Sequence, residues 1–400
     1  MESRAGRAAT VEFDHVSKTY GVATGKARAG TPGAVNDLSL AIPAGKICVL
    51  VGPSGCGKTT SLKMVNRLIE PTSGRILLDG LDAASRELTD LRRGIGYVIQ
   101  QTGLFPHQSI VDNVGTVPRL LGWPAARIKT RSEELLGLVG LDPAKYARRY
   151  PSQLSGGERQ RVGVARALAA DPPIMLMDEP FGAVDPIVRE RLQDEFLRLQ
   201  EELAKTILFV THDIDEAIKM GDLVAVFQLG GKLAQFGTPA ELLASPASDF
   251  VARFVGADRG LKRLALSRVS DLTLRPALTA IVGSDAGEAC RQGLAASFRF
   301  LLLTDQANRP LGWIDADKLP DSGPLTAALA SPTSPFVNKR TTLKDALSML
   351  LDADVQVGIV TDRSGAVQGL VTVDMIAERM REGHKAPAYL VDAPHGAAAD

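Results

Sequence analysis

The sequence predicts an α/β protein with a largely parallel sheet, a helical insertion, and a smaller α+β module near the C-terminus. Three observations carry this reading. From Val11 to about Asp258, short apolar runs alternate with helical patterns. Three of those runs, "KICVLVG", "IMLMD" and "TILFVTH", end in polar residues. Buried parallel strands do so where their C-terminal ends carry chemistry. Finally, "FLLLTDQANRPLGWIDADKL" (300–319) aligns with "VGIVTDRSGAVQGLVTVDMI" (357–376) at an offset of 57 residues. Each copy reads strand, polar turn, strand, then an acid opening a helix, and repeats of this size stack to bury a shared face.

A chain of 400 residues has room for two or three domains. Lys+Arg and Asp+Glu are both 46, which argues against a strongly basic nucleic-acid binder. No apolar run reaches the ~18–20 residues that span a bilayer, and "MESRAGRAAT" has no apolar signal core. The cysteines, Cys48, Cys56 and Cys290, fit neither a zinc spacing nor a disulfide framework. The expectation is a chain with reduced thiols in the cytosol. If it works at a membrane, it docks there through another subunit.

Taken in order, residues 1–10 are expected to be disordered. "GPSGCGKTT" (52–60) then fits G-x-x-x-x-G-K-[ST] with Gly52, Gly57, Lys58 and Thr59. It follows an apolar strand and opens a helix, "KTTSLKMVNRLI", with Leu62, Val65, Leu68 and Ile69 on one face. This context makes it a phosphate-binding loop of the P-loop NTPase kind. Glycines let backbone N–H groups wrap the phosphates, and the helix dipole adds positive potential. Lys58 reaches the β- and γ-phosphates, and Thr59 holds Mg²⁺. Cys56 sits inside this loop, where a helix N-terminus could lower its pKa.

From about Thr102 to Gln153 the pattern changes to amphipathic helix, as in "RSEELLGLVGL", punctuated by Gly and Pro. A helical insertion over about 102–160 follows. "LSGGERQ" (154–160) reads as a helix start, with Ser155 as N-cap and Glu158 completing a capping box. It is a second anion site about a hundred residues beyond the first. Asp178, ending "IMLMD", fits a carboxylate that supports Mg²⁺, and Glu179 would polarise an attacking water. The stretch 383–400 is expected to be loose.

Together these motifs resemble those of the ATP-binding cassette (ABC) ATPases, and the resemblance covers residues 11–258. "LSGGERQ" is similar to the signature of that family, which places Ser155, Gly156, Gly157 and Glu158 against nucleotide. The resemblance implies that Tyr20 in "SKTYG" stacks on adenine, although "GVATGKARAGTPG" after it is longer than usual. It implies that Pro53, Ser54, Gly55, Cys56 and Thr60 complete the ATP loop. Gln100 matches a glutamine linking Mg²⁺ and water to the helical insertion, with Gln101 adjacent. Asp185 in "FGAVD" matches the acid of a loop after the strand, and His212 matches a switch histidine near the γ-phosphate. A neutral imidazole can donate to a phosphate oxygen and accept from water.

In that family two cassettes face head to tail, so a homodimer with two ATP molecules at its interface is implied. "MVNRLIEPTSGRILLDG", "RVGVARALAADPPIMLMDEPFGAVDP" and "THDIDEAIKMGD" look like the importer subunits for glycine betaine, choline, carnitine and proline-type solutes. The repeat over about 265–382 is similar to a tandem pair of CBS domains, which would sense ionic strength or a nucleotide. Both copies depart from the usual nucleotide pattern: this chain has Thr372-Val373-Asp374 and Asp315-Ala316-Asp317. The implied partners are transmembrane permease subunits, a substrate-binding protein indirectly, and no nucleic acid. The implied place is the cytoplasmic face of the plasma membrane. Three alternatives stay open: an importer ATPase for another solute, a soluble non-transport ABC ATPase, and a regulatory nucleotide binder that hydrolyses nothing.

Overall fold

Strand β1 (Val11–Lys18) pairs antiparallel with β2 (Val35–Ile42) and β4 (Ser73–Leu78), and β4 with β5 (Leu81–Asp82). This antiparallel sheet was not foreseen from sequence. The second sheet comprises β3 (Ile47–Val51), β6 (Ile95–Val98), β7 (Ile174–Asp178), β8 (Thr206–Thr211), β9 (Leu223–Gln228) and β10 (Lys232–Gly237). Its order is β10-β9-β3-β8-β7-β6. All pairs are parallel except β9 with the edge strand β10. The computed structural model describes residues 8–20, 33–99, 103–182, 184–295, 300–331, 335–353 and 356–381. It divides into two compact units, Met1–Gly256 and Ala257–Asp400.

The continuous apolar runs are explained by burial on both faces. Val49, Val51, Met175, Met177, Phe209 and Val226 point into one core. Their alternate neighbours Cys48, Leu50, Leu176, Leu208, Val210 and Ala225 point into the other. A strand covered on both faces has no polar side to show, so its sequence stops alternating. Because β8 lies between β3 and β7, the ends of all three meet at one edge. Val51 pairs with Thr211, and Asp178 with Val210.

Helices fill the segment between β6 and β7: Ile110–Val114, Thr116–Leu120, Ala125–Leu138, Pro143–Tyr146 and Gly156–Leu168. The helix after the phosphate loop runs Lys58–Val65, shorter than expected. Arg67 is left-handed at φ 52°, and Asn66 Oδ1 accepts the Leu68 N–H at 3.2 Å. Leu62 and Val65 are buried, but Leu68 lies beyond the helix and is exposed. Order also begins within the N-terminal stretch expected to be loose: Ala9 is buried, and the Thr10 carbonyl accepts the Asp79 N–H at 3.0 Å. No helix among the described residues is long and apolar enough to cross a membrane.

In the second unit the 57-residue offset holds strand by strand. Strands β11 (Thr279–Ile281), β12 (Phe300–Thr304) and β13 (Pro310–Asp315) form one sheet. Strands β14 (Phe336–Asn338), β15 (Val357–Thr361) and β16 (Val367–Thr372) form the other. In each, the first two strands are parallel across a helix, Ala286–Ala295 or Leu343–Leu351, and the third is antiparallel. The second copy closes with the helix Val373–Arg381, whereas the first has only the tight turn Ala316–Lys318. Pro320 explains the difference, because it holds Leu319 extended and stops a helix there.

The lead-in segments are crossed. Arg268 bridges to Thr342 and Arg275 to Leu370, while Asp285 bridges to Pro324 and Trp313 to Ser331. Leu264 and Val269 therefore sit in one core with Val337, Leu343, Val360 and Ile376. Leu325 sits with Ala280, Leu301 and Ile314.

Candidate functional site

The phosphate loop leaves β3 at Gly52 and turns on left-handed glycines. At Gly57, with φ 98°, an added Cβ would stand 2.1 Å from the Ala34 carbonyl oxygen. At Gly52 it would meet the Phe227 carbonyl at 2.4 Å. Neither position admits a side chain. Gly55 (φ 78°) and Ser54 instead face open space. The helix start at Gly57 carries no side-chain cap, which leaves its first amides to a ligand.

Lys58 is buried, and its Nζ donates to the carbonyls of Gly52 at 2.7 Å and Pro53 at 2.9 Å. Cys56 is fully buried, with Sγ 3.8 Å from Lys58 Nζ. Burial pushes this thiol's pKa up, and the nearby ammonium offsets only part of that. Desolvation of the thiolate thus outweighs the positive field by which a helix N-terminus could lower it, in keeping with a small residue that fills the loop.

Thr59 Oγ1 donates to Asp178 Oδ1 at 2.9 Å across the edge of the sheet. Burial holds the Asp178 carboxyl above its usual range, and the Thr59 hydroxyl and the lysines Lys63 and Lys58 pull it back. Tyr97 on β6 is pushed up to about 12 by burial and by the Asp178 charge. A hydroxyl and a buried carboxylate side by side are hard oxygen donors, a set that suits Mg²⁺.

Glu179 sits at a left-handed φ of 46°, its N–H donating to the Val210 carbonyl at 3.0 Å. That turn aims its side chain at His212, whose Nδ1 is 3.2 Å from Glu179 Oε1. With the carboxylate accepting, the proton of the neutral ring belongs on Nδ1. In that tautomer Nε2 is an acceptor.

Tyr20 is exposed, its hydroxyl 3.5 Å from Thr60 Oγ1 and its ring 5.4 Å from Lys18 Nζ. Asp185 is exposed at the mouth of the helix Pro186–Leu203. Gln100 and Gln101 lie outside the described residues.

The signature segment forms a complete capping box. Ser155 Oγ accepts the Glu158 N–H at 3.3 Å, and Glu158 Oε2 accepts the Ser155 N–H at 2.7 Å. Ser155 and Gly156 are exposed, and Gly157 stands beside Val184. No hydrogen bond joins the signature residues 155–158 to the phosphate loop among the described residues. Two supports escaped the sequence reading. Tyr146 donates to Glu158 Oε1 at 2.7 Å, and Arg159 donates to the Leu154 carbonyl at 2.6 Å. Neither partner spacing leaves a local pattern; only the fold brings Tyr146 to Glu158.

The family model described as ABC transporter matches residues 35–182. The osmoprotectant import ATP-binding protein OsmV of Salmonella typhimurium is 46% identical over 351 residues, covering 88% of this chain and 92% of that one. The glycine betaine/carnitine/choline transport ATP-binding protein OpuCA of Bacillus subtilis is 42% identical over 367 residues, covering 90% and 94%. Among solved structures, the dimeric ATP-binding cassette MJ0796 in a post-hydrolysis state with ADP and Pi matches with a TM-score of 0.51 and 33% identity. It covers 57% of this chain and 98% of that one. With relatives this similar over nearly their whole length, and with the phosphate loop, Asp178, Glu179 and His212 gathered at one sheet edge, the chain belongs to the ABC transporter family as an ATP-binding, ATP-hydrolysing subunit.

Proposed function

We propose that this ATPase drives an importer of quaternary amines and related compatible solutes, of the glycine betaine, choline, carnitine or proline type. Support comes from relatives whose names carry that cargo and whose likeness runs through the C-terminal unit, over 88% and 90% of this chain. The observation that carries the ATPase reading is the pairing of Glu179 with His212 beside Thr59 and Asp178. In the proposed reaction Lys58, Thr60 and the loop 52–57 hold the phosphates, and Tyr20 stacks on the base. Thr59 and Asp178 would hold Mg²⁺, which supplies positive charge against the phosphate oxygens when bound; Gln100 is proposed to join them. Glu179 orients the attacking water and takes its proton as the bond to the γ-phosphorus forms and ADP leaves. His212 holds Glu179 in place through Nδ1.

The exposed cap formed by Ser155, Gly156, Gly157 and Glu158 has its own anion-binding character. We assign it, with Asp185, to the nucleotide of a second copy, so that two chains close head to tail over two ATP molecules. The dimeric state of the MJ0796 cassette favours this arrangement. The homodimer would sit on transmembrane permease subunits at the cytoplasmic face of the membrane, served indirectly by a substrate-binding protein. The unit from Ala257 onward, over about 265–382, is proposed to be a CBS-like regulatory pair that responds to ionic strength or a nucleotide. Replacing Glu179 with Gln should trap an ATP-bound dimer, read by light scattering with ATP and Mg²⁺. A monomer under those conditions refutes the head-to-tail reading.

A further inference from the structure

Tyr146 belongs to none of the motifs above, yet it touches the signature through one carboxylate. Glu158 Oε2 closes the cap by accepting the Ser155 N–H at 2.7 Å, and Glu158 Oε1 accepts the Tyr146 hydroxyl at 2.7 Å. A glutamate that capped with one oxygen only would keep rotational freedom about its last torsion. The tyrosine removes that freedom, because both oxygens are now fixed in direction. The two interactions, Ser155 N–H first and the Tyr146 hydroxyl second, also hold the Glu158 carboxyl below its usual range, so it remains an acceptor.

Tyr146 is itself well anchored. Its N–H donates to the Asp142 carbonyl at 2.9 Å, and its ring carries Arg149 at 4.8 Å and Lys145 at 5.5 Å. The adjoining residues reach the other way. The Ala147 carbonyl accepts the Val111 N–H at 3.0 Å, and the Arg149 carbonyl accepts the Ile110 N–H at 2.8 Å. One short segment thus holds the start of the helix Ile110–Val114 and the cap of the helix Gly156–Leu168.

We propose that Tyr146 is a positioning residue for the signature face: it touches no nucleotide, and through Glu158 it fixes the Ser155 cap in the orientation that meets the second copy's ATP. This rests on the head-to-tail reading above. The test uses the full chain in the Glu179→Gln background with ATP and Mg²⁺. Sedimentation gives the dimer dissociation constant, and a fluorescent ATP analogue at protein concentrations below dimerisation gives the affinity of the single chain's phosphate loop.

Adding Tyr146→Phe should raise the dimer dissociation constant ~3–10-fold, the range of one ordinary net hydrogen bond, because the loss reaches the interface only through Glu158. Nucleotide affinity of the monomer should stay within about twofold, since the phosphate loop is untouched. After Glu158→Ala, Tyr146→Phe should add almost nothing, because its partner is gone. Glu158→Gln, whose oxygen can still accept the Ser155 N–H while its amide donates to the Tyr146 hydroxyl, serves as the second variant and should leave the dimer constant within about twofold. In hydrolysis by the Glu179 parent, Tyr146→Phe should raise KM for ATP while leaving kcat within about twofold.

An unchanged dimer constant in Tyr146→Phe, full additivity with Glu158→Ala, or an equal loss of monomer affinity each overturns the proposal. A Glu179→Gln parent that stays monomeric refutes the head-to-tail reading itself, an outcome distinct from a dimeric parent insensitive to Tyr146.

Discussion

At Asp178 a carboxylate is buried beside one hydroxyl donor, Thr59, and its pKa is raised chiefly because burial penalises the charge. For an acid shifted upward, the contribution to stability is fully present below the unfolded pKa and is lost as pH rises through the folded pKa. At neutral pH the ionised group is therefore a cost to the nucleotide-free protein. Asp178→Asn should leave the melting temperature of the nucleotide-free chain unchanged or higher while abolishing ATP hydrolysis. A clear fall in Tm would mean that the carboxylate stabilises the fold after all. Lys58, Thr59, Asp178, Glu179 and His212 were all legible in the sequence because each stands at a fixed offset from a strand end. Tyr146 was not, since its tie to Glu158 depends on how a four-residue helix is folded back. The direction of the Cys56 shift was not legible for a related reason: the motif displays the helix N-terminus but not the depth of burial.

Among the elements, the three apolar runs became β3, β7 and β8 because nothing but two-sided burial permits such sequences. Leu50 lies in the middle of β3, flanked by β8 and β9, and is fully buried. Leu50→Ala should cost about 2–5 kcal/mol through lost burial and the residual cavity. Denaturant titration checks this: the midpoint should fall with little change in slope, and a loss under about 1 kcal/mol would show that the site collapses freely. The antiparallel sheet of β1, β2, β4 and β5 was not legible. Its longest strands carry only partial alternation, and β1 has register shifts between Phe13 and Val16 that break the period. Helix ends were blurred where a buried asparagine, Asn66, and a left-handed Arg67 did the stopping in place of glycine or proline.

For the molecule as a whole, the division at Gly256 assigns the entire nucleotide site to the first unit. Removing the chain from Ala257 onward should leave ATP binding and Glu179-dependent hydrolysis within about twofold, because the site residues all lie before that point, as do the hydrogen-bond partners described above for Lys58, Thr59 and His212. In a reconstituted importer the same deletion should abolish the response of transport to salt or added nucleotide. An unchanged response would reject the regulatory reading of the C-terminal unit.

A smaller deletion would be a poor substitute, and the crossed lead-ins say why. The alignment invites a cut at about residue 332, as if it would leave one copy whole and discard the other. Such a cut would strip Leu264 and Val269 of Val337, Leu343, Val360 and Ile376, although they precede the first copy by sequence. It would expose an apolar seam on the half that was meant to survive. Order along the chain and partnership in space run in opposite senses here. The two halves behave as a clasp rather than as beads, and they can be removed only together.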